Sequence, residues 1–402
     1  MKIGGVIAEF NPFHNGHAAL AASAREKGIT HLVAVMSGNF VQRGDIAIAE
    51  KRVRAACALS AGFDLILELP MAWSMAPAPV FARGGVGVLA ACGCVETLCF
   101  GSESGDAALL EALAHSVNDP RVESALRARL TSGATFAKAR QQAVEEVYGE
   151  QLSAHLKNPN DLLGVEYLRQ ARALGWNPQV VVVRRLGVSH DASAPQGRIA
   201  SASWLRSHGD NLSMLSRYIP DSCAQVLAVA RQDGLFPARL QTLETAILAR
   251  LRTLTPEELA RLPDLSEGLE NRFYDAIRSA RSLEELAFMV KTKRYTMARI
   301  RRLILSAFLG IQPEDSAGTP PYLHILGFNQ RGREILAEIG KHATLPCEAS
   351  LARLEKLGGR CQATAQLESR TTDLYGLALP NPLPCGYDML ATGNWKTGRR
   401  PQ

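Results

Sequence analysis

The chain has 402 residues, 47% hydrophobic and 21% charged, with a formal net charge of +6. This is the composition of an ordinary globular protein with material for two or three cores, and it excludes a disordered or fibrous chain. No apolar run reaches the ~18 residues of a membrane span and the first residues lack a secretory h-region, so a cytoplasmic protein with no membrane partner is expected.

The predicted elements alternate. An apolar strand, Ile3–Ala8, breaks at Asn11-Pro12 and leads through His14-Asn15-Gly16-His17 into a helix, Ala18–Lys27, ended by Gly28. A second strand, His31–Met36, runs into Ser37-Gly38-Asn39 and is followed by a helix over Ala47–Ala61. Next come a strand at Leu65–Leu69 stopped by Pro70, a helix at Val86–Ala91 and a strand at Thr97–Phe100. A helical insertion spans about residues 106–151, and the β-branched run Gln179–Arg185 reads as another strand. Strands separated by helices indicate βαβ units and a mostly parallel sheet, which binds ligands at the carboxyl ends of its strands. Residues 1–210 are therefore expected to form an α/β domain, and 211–402 a largely α-helical region. Its expected helices are Ser213–Arg231, Leu240–Thr253, Pro256–Leu262, Leu283–Val290, Met297–Leu309 and Arg331–Ile339. Beyond about Pro320 the sequence offers a central apolar run and a Pro-rich end, and the basic tail Lys396–Gln402 is expected to be disordered.

The eight cysteines are scattered. Cys92, Cys94 and Cys99 cluster, but without the second ligand pair a metal site wants, so they are read as inert thiols of a reducing compartment. No metal is expected from protein side chains.

Two motifs carry chemistry. A helix start directly after a strand offers backbone N–H groups and a positive dipole end to a phosphate, and His14 and His17 add imidazole donors there. Gly16 removes bulk where a ligand would approach. In the second motif, Ile199–Arg206 (IASASWLR), Ser201 and Ser203 precede a helix and Arg206 can fork onto a phosphate. Taken singly, each motif also reads blandly, as a surface histidine pair or as a serine cap with a surface arginine. Arg43, after the second strand, suits either a structural role or a contact to triphosphate or RNA. Lys51 and Arg52 read as a solvated helix face. Lys291, Lys293, Arg294, Arg299, Arg301 and Arg302 fall within twelve residues and read either as a solvated helix face or as a candidate RNA-binding segment.

Several strings together extend from Ile7 to about Leu336: EFNPFHNGH, MSGNFVQRGDIAI, ELP, FGSE, NPNDLLGVEYL, RRLGVSHD, IASASWLR and YLHILGFNQRGREIL. In combination they resemble the tRNA(Met) cytidine acetate ligase family, within the nucleotidylyltransferase superfamily that carries H-x-G-H. The resemblance implies a Rossmann-like nucleotidylyltransferase domain in a bacterial cytoplasmic enzyme. Such an enzyme activates acetate with ATP to acetyl-adenylate and acetylates N4 of the wobble cytidine in elongator tRNA(Met). It implies ATP as a substrate, with Mg²⁺ carried on the phosphates, and His14 and His17 as catalytic residues. The implied ATP site comprises Ile7, Ala8, Glu9, Phe10, Asn11, Pro12, Phe13, His14, Asn15, Gly16, His17, Ala18, Ala19 and Leu20. It further includes Gly101, Asn160 and Arg185, with Ser201, Ser203 and Arg206 from the second motif. Ala202 and Ser203 depart from the Ser and Thr common in the superfamily, and Ser203 keeps the hydroxyl. A small-molecule adenylyl- or cytidylyltransferase shares both motifs, and a non-catalytic RNA-binding module is the third reading.

Overall fold

The structure is a computed structural model that describes residues 1–131, 135–185, 195–265, 268–293 and 295–391. Five parallel strands form its centre: β1 (Ile3–Ala8), β2 (His31–Ser37), β5 (Leu65–Leu69), β6 (Thr97–Ser102) and β7 (Gln179–Arg184). A short antiparallel hairpin, β3 (Phe40–Val41) with β4 (Asp45–Ile46), rises from the end of β2. β8 (Leu323–Phe328) adds antiparallel to β5, and β9 (Cys347–Glu348) adds parallel to β8, giving the order β7-β6-β1-β2-β5-β8-β9. Every residue of β2 and β5 is buried, which is why these strands read as unbroken apolar runs rather than alternating ones. Helices Asn15–Glu26, Lys51–Ser60 and Ala78–Ala91 make the crossovers. The last of these lies close on β1 because it carries glycine there: a Cβ at Gly85 would sit 2.7 Å from the Ile7 side chain.

The predicted strands are all present, each within two residues of the expected ends. Helix boundaries differ for local reasons. The helix expected from Ala47 starts at Lys51, because the N–H of Ala47 donates to the Asn39 carbonyl and the Glu50 carboxylate caps the N–H groups of Arg52 and Val53. The helix expected from Val86 starts at Ala78, with Pro79 tolerated in its first turn. The helix expected over Ser213–Arg231 is split at Pro220 into Leu212–Leu215 and Asp221–Gln232, and an unforeseen helix runs over Leu269–Ser279. The insertion is helical, with helices Ala107–Ser116, Pro120–Thr131 and Phe136–Tyr148.

The apolar run beyond Pro320 is β8, and helix Gln330–His342 packs on β2, β5 and β8. One continuous hydrophobic cluster includes Val35 of the sheet, Leu205, Leu251, Ile300 and Leu323. Helix Gly359–Gly376 returns against Met71–Ser74, beside β5. Among the described residues no helix is long and apolar enough to cross a membrane. The tail Lys396–Gln402 lies outside the described residues.

Candidate active site

The site is built on the loop between β1 and its helix. Phe10, Phe13 and Phe63 pack their rings beneath it, with centroids 4.9 Å apart for Phe10–Phe13 and 5.1 Å for Phe10–Phe63. Phe10 has a φ of 47°, a left-handed conformation that an aromatic residue adopts at some cost. Asn11 locks the loop laterally: its Oδ1 accepts from the Ile48 N–H at 2.8 Å, and its carbonyl accepts from Arg206 Nη1 at 2.9 Å.

His14 is the N-cap of helix Asn15–Glu26. Its Nδ1 accepts the Gly16 N–H at 3.1 Å, and His17 Nδ1 accepts the His14 N–H at 3.2 Å, a reciprocal capping box made by two imidazoles. The rings stack, centroids 3.8 Å apart and planes 20° from parallel. A nitrogen that accepts a hydrogen bond carries no proton, so each neutral ring holds its proton on Nε2 and donates from there. Burial first, then the neighbouring His14 ring and the Arg185 charge, pushes the His17 pKa well below the usual histidine value, so the ring is neutral at pH 7. The backbone donors expected at this helix start are already engaged. The N–H of Asn15 donates to the Tyr218 carbonyl, that of Gly16 to His14, and that of His17 to the His14 carbonyl. The donors at this turn are therefore the imidazoles rather than the peptide groups.

A cavity of about 590 Å³ opens over the carboxyl ends of β1, β6 and β7. Of the residues singled out in the sequence, Ile7 to Asn11, His14, Gly16, His17, Ala19, Leu20, Gly101, Asn160, Arg185 and Ser201 line it. Gly101, one residue before the end of β6, lies against the Arg185 side chain: a Cβ there would sit 3.3 Å from Arg185 Cγ. Asn160 opens helix Pro159–Ala173, which the Glu103 carboxylate caps by accepting from the N–H groups of Asn160 at 3.1 Å and Asp161 at 2.9 Å. Glu103 also holds the Asn160 amide at 2.6 Å, and Arg185 Nη1 reaches Asn160 Oδ1 at 3.5 Å. Burial lowers the Arg185 pKa and Glu103 opposes that shift. Ser201 caps helix Ala202–Ser207 by accepting from the Trp204 N–H at 3.2 Å, and its Oγ lies 3.2 Å from that of Ser203.

Pro12, Phe13, Asn15, Ala18, Ser203 and Arg206 do not line the cavity. Phe13 is core, Asn15 holds the Arg198 carbonyl through Nδ2, and Arg206 braces the Asn11 carbonyl from behind. Sequence reading had not singled out Phe81, Phe100 and Tyr167, which line the cavity together with Gln42 and Arg43. The helical spacing of Asn160, Leu163 and Tyr167 was the available signal, since these residues share one face.

The basic segment divides. Lys291, Lys293 and Arg301 are exposed. Arg299 and Arg302 are committed to Asp264: Arg299 Nε donates to its carbonyl at 2.9 Å and Arg302 Nη2 pairs with its carboxylate at 2.7 Å. Arg294 lies outside the described residues. Arg302 also donates to the Gln42 carbonyl at 3.2 Å, so this helix abuts the hairpin whose Gln42 and Arg43 wall the cavity.

Lys51 and Arg52, expected on a solvated face, are buried. Lys51 Nζ lies 2.5 Å from Asp388, 2.6 Å from Glu68 and 3.2 Å from Glu368, and Arg52 Nη2 lies 2.7 Å from Asp388. The reason is the returning C-terminal segment, which brings Glu368 and Asp388 onto this helix beside Glu68 of β5. Among the described residues no group of three or more His, Cys, Asp or Glu side chains could hold a metal ion.

The profile of the HIGH nucleotidyl transferase family matches residues 1–385. The tRNA(Met) cytidine acetate ligase of Thermoanaerobacter sp. strain X514 is 36% identical over 399 residues, covering 97% of this chain and 98% of that protein. The crystal structure of Thermotoga maritima TmcAL without ligand superposes with a TM-score of 0.93 at 31% identity, covering 98% of this chain and 99% of that one. The form of the same protein bound with alpha-thio ATP superposes with a TM-score of 0.91, at the same identity and coverage.

Proposed function

The chain belongs to the HIGH nucleotidyl transferase family and, within it, to the tRNA(Met) cytidine acetate ligases, and on that premise we infer that its cavity activates acetate with ATP and delivers the acetyl group to a tRNA base. The observation that carries the reading is the stacked imidazoles of His14 and His17 in the wall of a cavity of about 590 Å³, in a chain that superposes on a structure bound with an ATP analogue.

ATP lies across the carboxyl ends of β1 and β6, with its α-phosphate against the two imidazoles. Acetate is ionised at pH 7 and attacks the α-phosphorus without a general base. The neutral Nε2–H groups donate to the phosphoryl oxygens as charge builds, and Arg185 balances charge at the rim. Pyrophosphate departs and acetyl-adenylate remains. Mg²⁺ is carried on the triphosphate as part of the substrate.

The acceptor is the N4 amine of the wobble cytidine of elongator tRNA(Met), unstacked from the anticodon loop to enter the cavity. Lys291, Lys293 and Arg301 hold tRNA phosphates beside the Gln42–Arg43 wall. The setting is the bacterial cytoplasm, where ATP, acetate and tRNA meet. Residues 1–210 carry the adenylation chemistry and 211–402 the tRNA contacts, with β8 and β9 completing the sheet from the second part. A small-molecule nucleotidyltransferase would leave the second part and its exposed basic residues without a role.

The test is to incubate the protein with ATP, acetate and elongator tRNA(Met) and digest the RNA for mass spectrometry. N4-acetylcytidine that depends on both ATP and acetate is expected. Its absence, alongside ATP turnover with a small-molecule acceptor, would overturn the reading.

A further inference from the structure

The reaction has a second half that the histidines do not serve. When the cytidine amine attacks acetyl-adenylate, a proton must leave the nitrogen. This amine is conjugated with its ring and weakly nucleophilic, and its N–H becomes acidic only as the C–N bond forms, so a base in reach at that moment lowers the barrier.

Among the described residues, few groups on the cavity wall can accept a proton at pH 7. His14 and His17 accept backbone N–H groups at Nδ1 and carry their protons on Nε2. Arg43, Arg184 and Arg185 are cations. Tyr167 is a buried phenol whose pKa burial raises further, so it stays neutral. Two carboxylates remain among the described lining residues, Glu9 and Glu26. Glu26 is exposed at the far end of helix Asn15–Glu26, remote from the turn that carries the histidines. Glu9 directly follows β1, next to Phe10, whose ring meets that of His17 at 4.9 Å.

We propose that the Glu9 carboxylate is a catalytic base of the acyl-transfer step, accepting the proton that cytidine N4 loses as it attacks acetyl-adenylate. This rests on the functional reading above and names a residue for its second half. The N4 lone pair forms the bond to the acetyl carbon. The bond from that carbon to the phosphate oxygen breaks, its electron pair leaving with AMP, and the N4 proton passes to Glu9 and then to water.

The setting fits that task. Glu9 Oε1 accepts the Gln42 N–H at 2.8 Å, which fixes the carboxylate in the cavity wall. Burial raises the Glu9 pKa, while the Gln42 N–H and the charges of Arg206, Arg43 and Arg54 oppose that, which brings a carboxylate nearer the strength of a useful base. An acid beside a triphosphate repels it, so its presence in a wall otherwise suited to anions is explained by a step in which the substrate develops positive charge.

The experiment compares two products of the whole protein and its Glu9→Gln variant. With ATP, acetate and hydroxylamine, acetohydroxamate reports adenylation, because hydroxylamine captures acetyl-adenylate without help from an enzyme base. With tRNA, N4-acetylcytidine reports both halves. The ratio of N4-acetylcytidine to hydroxamate is expected to fall by about 100-fold in Glu9→Gln, and Glu9→Asp to recover part of it. A ratio in Glu9→Gln equal to that of the unsubstituted protein, or loss of hydroxamate itself in Glu9→Gln, would overturn the proposal. Failure of the unsubstituted protein to make any hydroxamate would instead overturn the adenylation reading on which it stands.

Discussion

The ammonium of Lys51 and the carboxylate of Asp388 lie 2.5 Å apart with both side chains wholly buried, joining the helix after β4 to the C-terminal end of the described chain. Asp388 also holds Arg52 at 2.7 Å and accepts from the Thr372 hydroxyl at 3.1 Å. The last described segment is thus fastened behind the turn at the end of β2.

Asp388→Ala leaves two buried cations short of a partner. A loss of about 3–5 kcal/mol in unfolding free energy is expected from urea denaturation, because an uncompensated buried charge is costly. A loss below about 1 kcal/mol would show that water or rearrangement replaces the pair.

Glu368 gives the same cluster a pH dependence. Burial, then the Glu68 charge, raises its pKa from 4.5 to about 8 against the pull of Lys51. The folded state binds this proton more tightly than the unfolded chain, so the stability it contributes is complete below pH 4.5 and is lost as the pH climbs through about 8. His324 runs the other way: burial and the Lys51 charge lower it from 6.5 to about 3, so its contribution is present above pH 6.5 and lost as pH falls. Between pH 6.5 and 8 the Glu368 slope acts without that of His324. Calorimetry should find the melting temperature falling over this window, and falling less steeply in Glu368→Gln, which stays neutral throughout. Equal slopes would mean that Glu368 is ionised in the fold.

The stacked histidines should be needed for adenylation itself. His14→Ala and His17→Ala are each expected to lower acetate-dependent exchange of pyrophosphate into ATP by about 10²–10³-fold, the usual cost of removing one preorganised donor to a developing oxyanion. Folded variants retaining the unsubstituted rate would remove both residues from the reaction.

The exposed part of the basic segment should act on tRNA affinity alone. Lys293→Glu and Arg301→Glu are expected to weaken tRNA binding and to flatten its dependence on salt, by about one unit of slope for each phosphate that is no longer neutralised. Hydroxamate formation should be unaffected. Arg302→Ala should instead lower stability, because its guanidinium holds Asp264 and the Gln42 carbonyl.

These residues also mark what was legible in the sequence. Strands β1, β2 and β5 were readable because burial on both faces turns them into apolar runs ended by turn residues. The run Leu323–Phe328 was visible but unassigned, since its place in the sheet is set by pairing with β5, far away in the chain. His14 and His17 were legible as a motif, while their tautomers depend on the N–H groups that each Nδ1 accepts. Lys51 read as a surface residue because the carboxyl groups that surround it, on Glu68, Glu368 and Asp388, are dispersed along the chain. Arg299 and Arg302 read as RNA-binding for the same reason: Asp264 belongs to a different segment, and composition cannot reveal that it claims them.

The central claim is that acetate attacks the α-phosphorus and that the acyl group leaves AMP for the tRNA base. Acetate labelled with ¹⁸O in both oxygens tests it directly. The account predicts AMP carrying one ¹⁸O and N4-acetylcytidine carrying the other. Unlabelled AMP, or ADP as the nucleotide product, would contradict it.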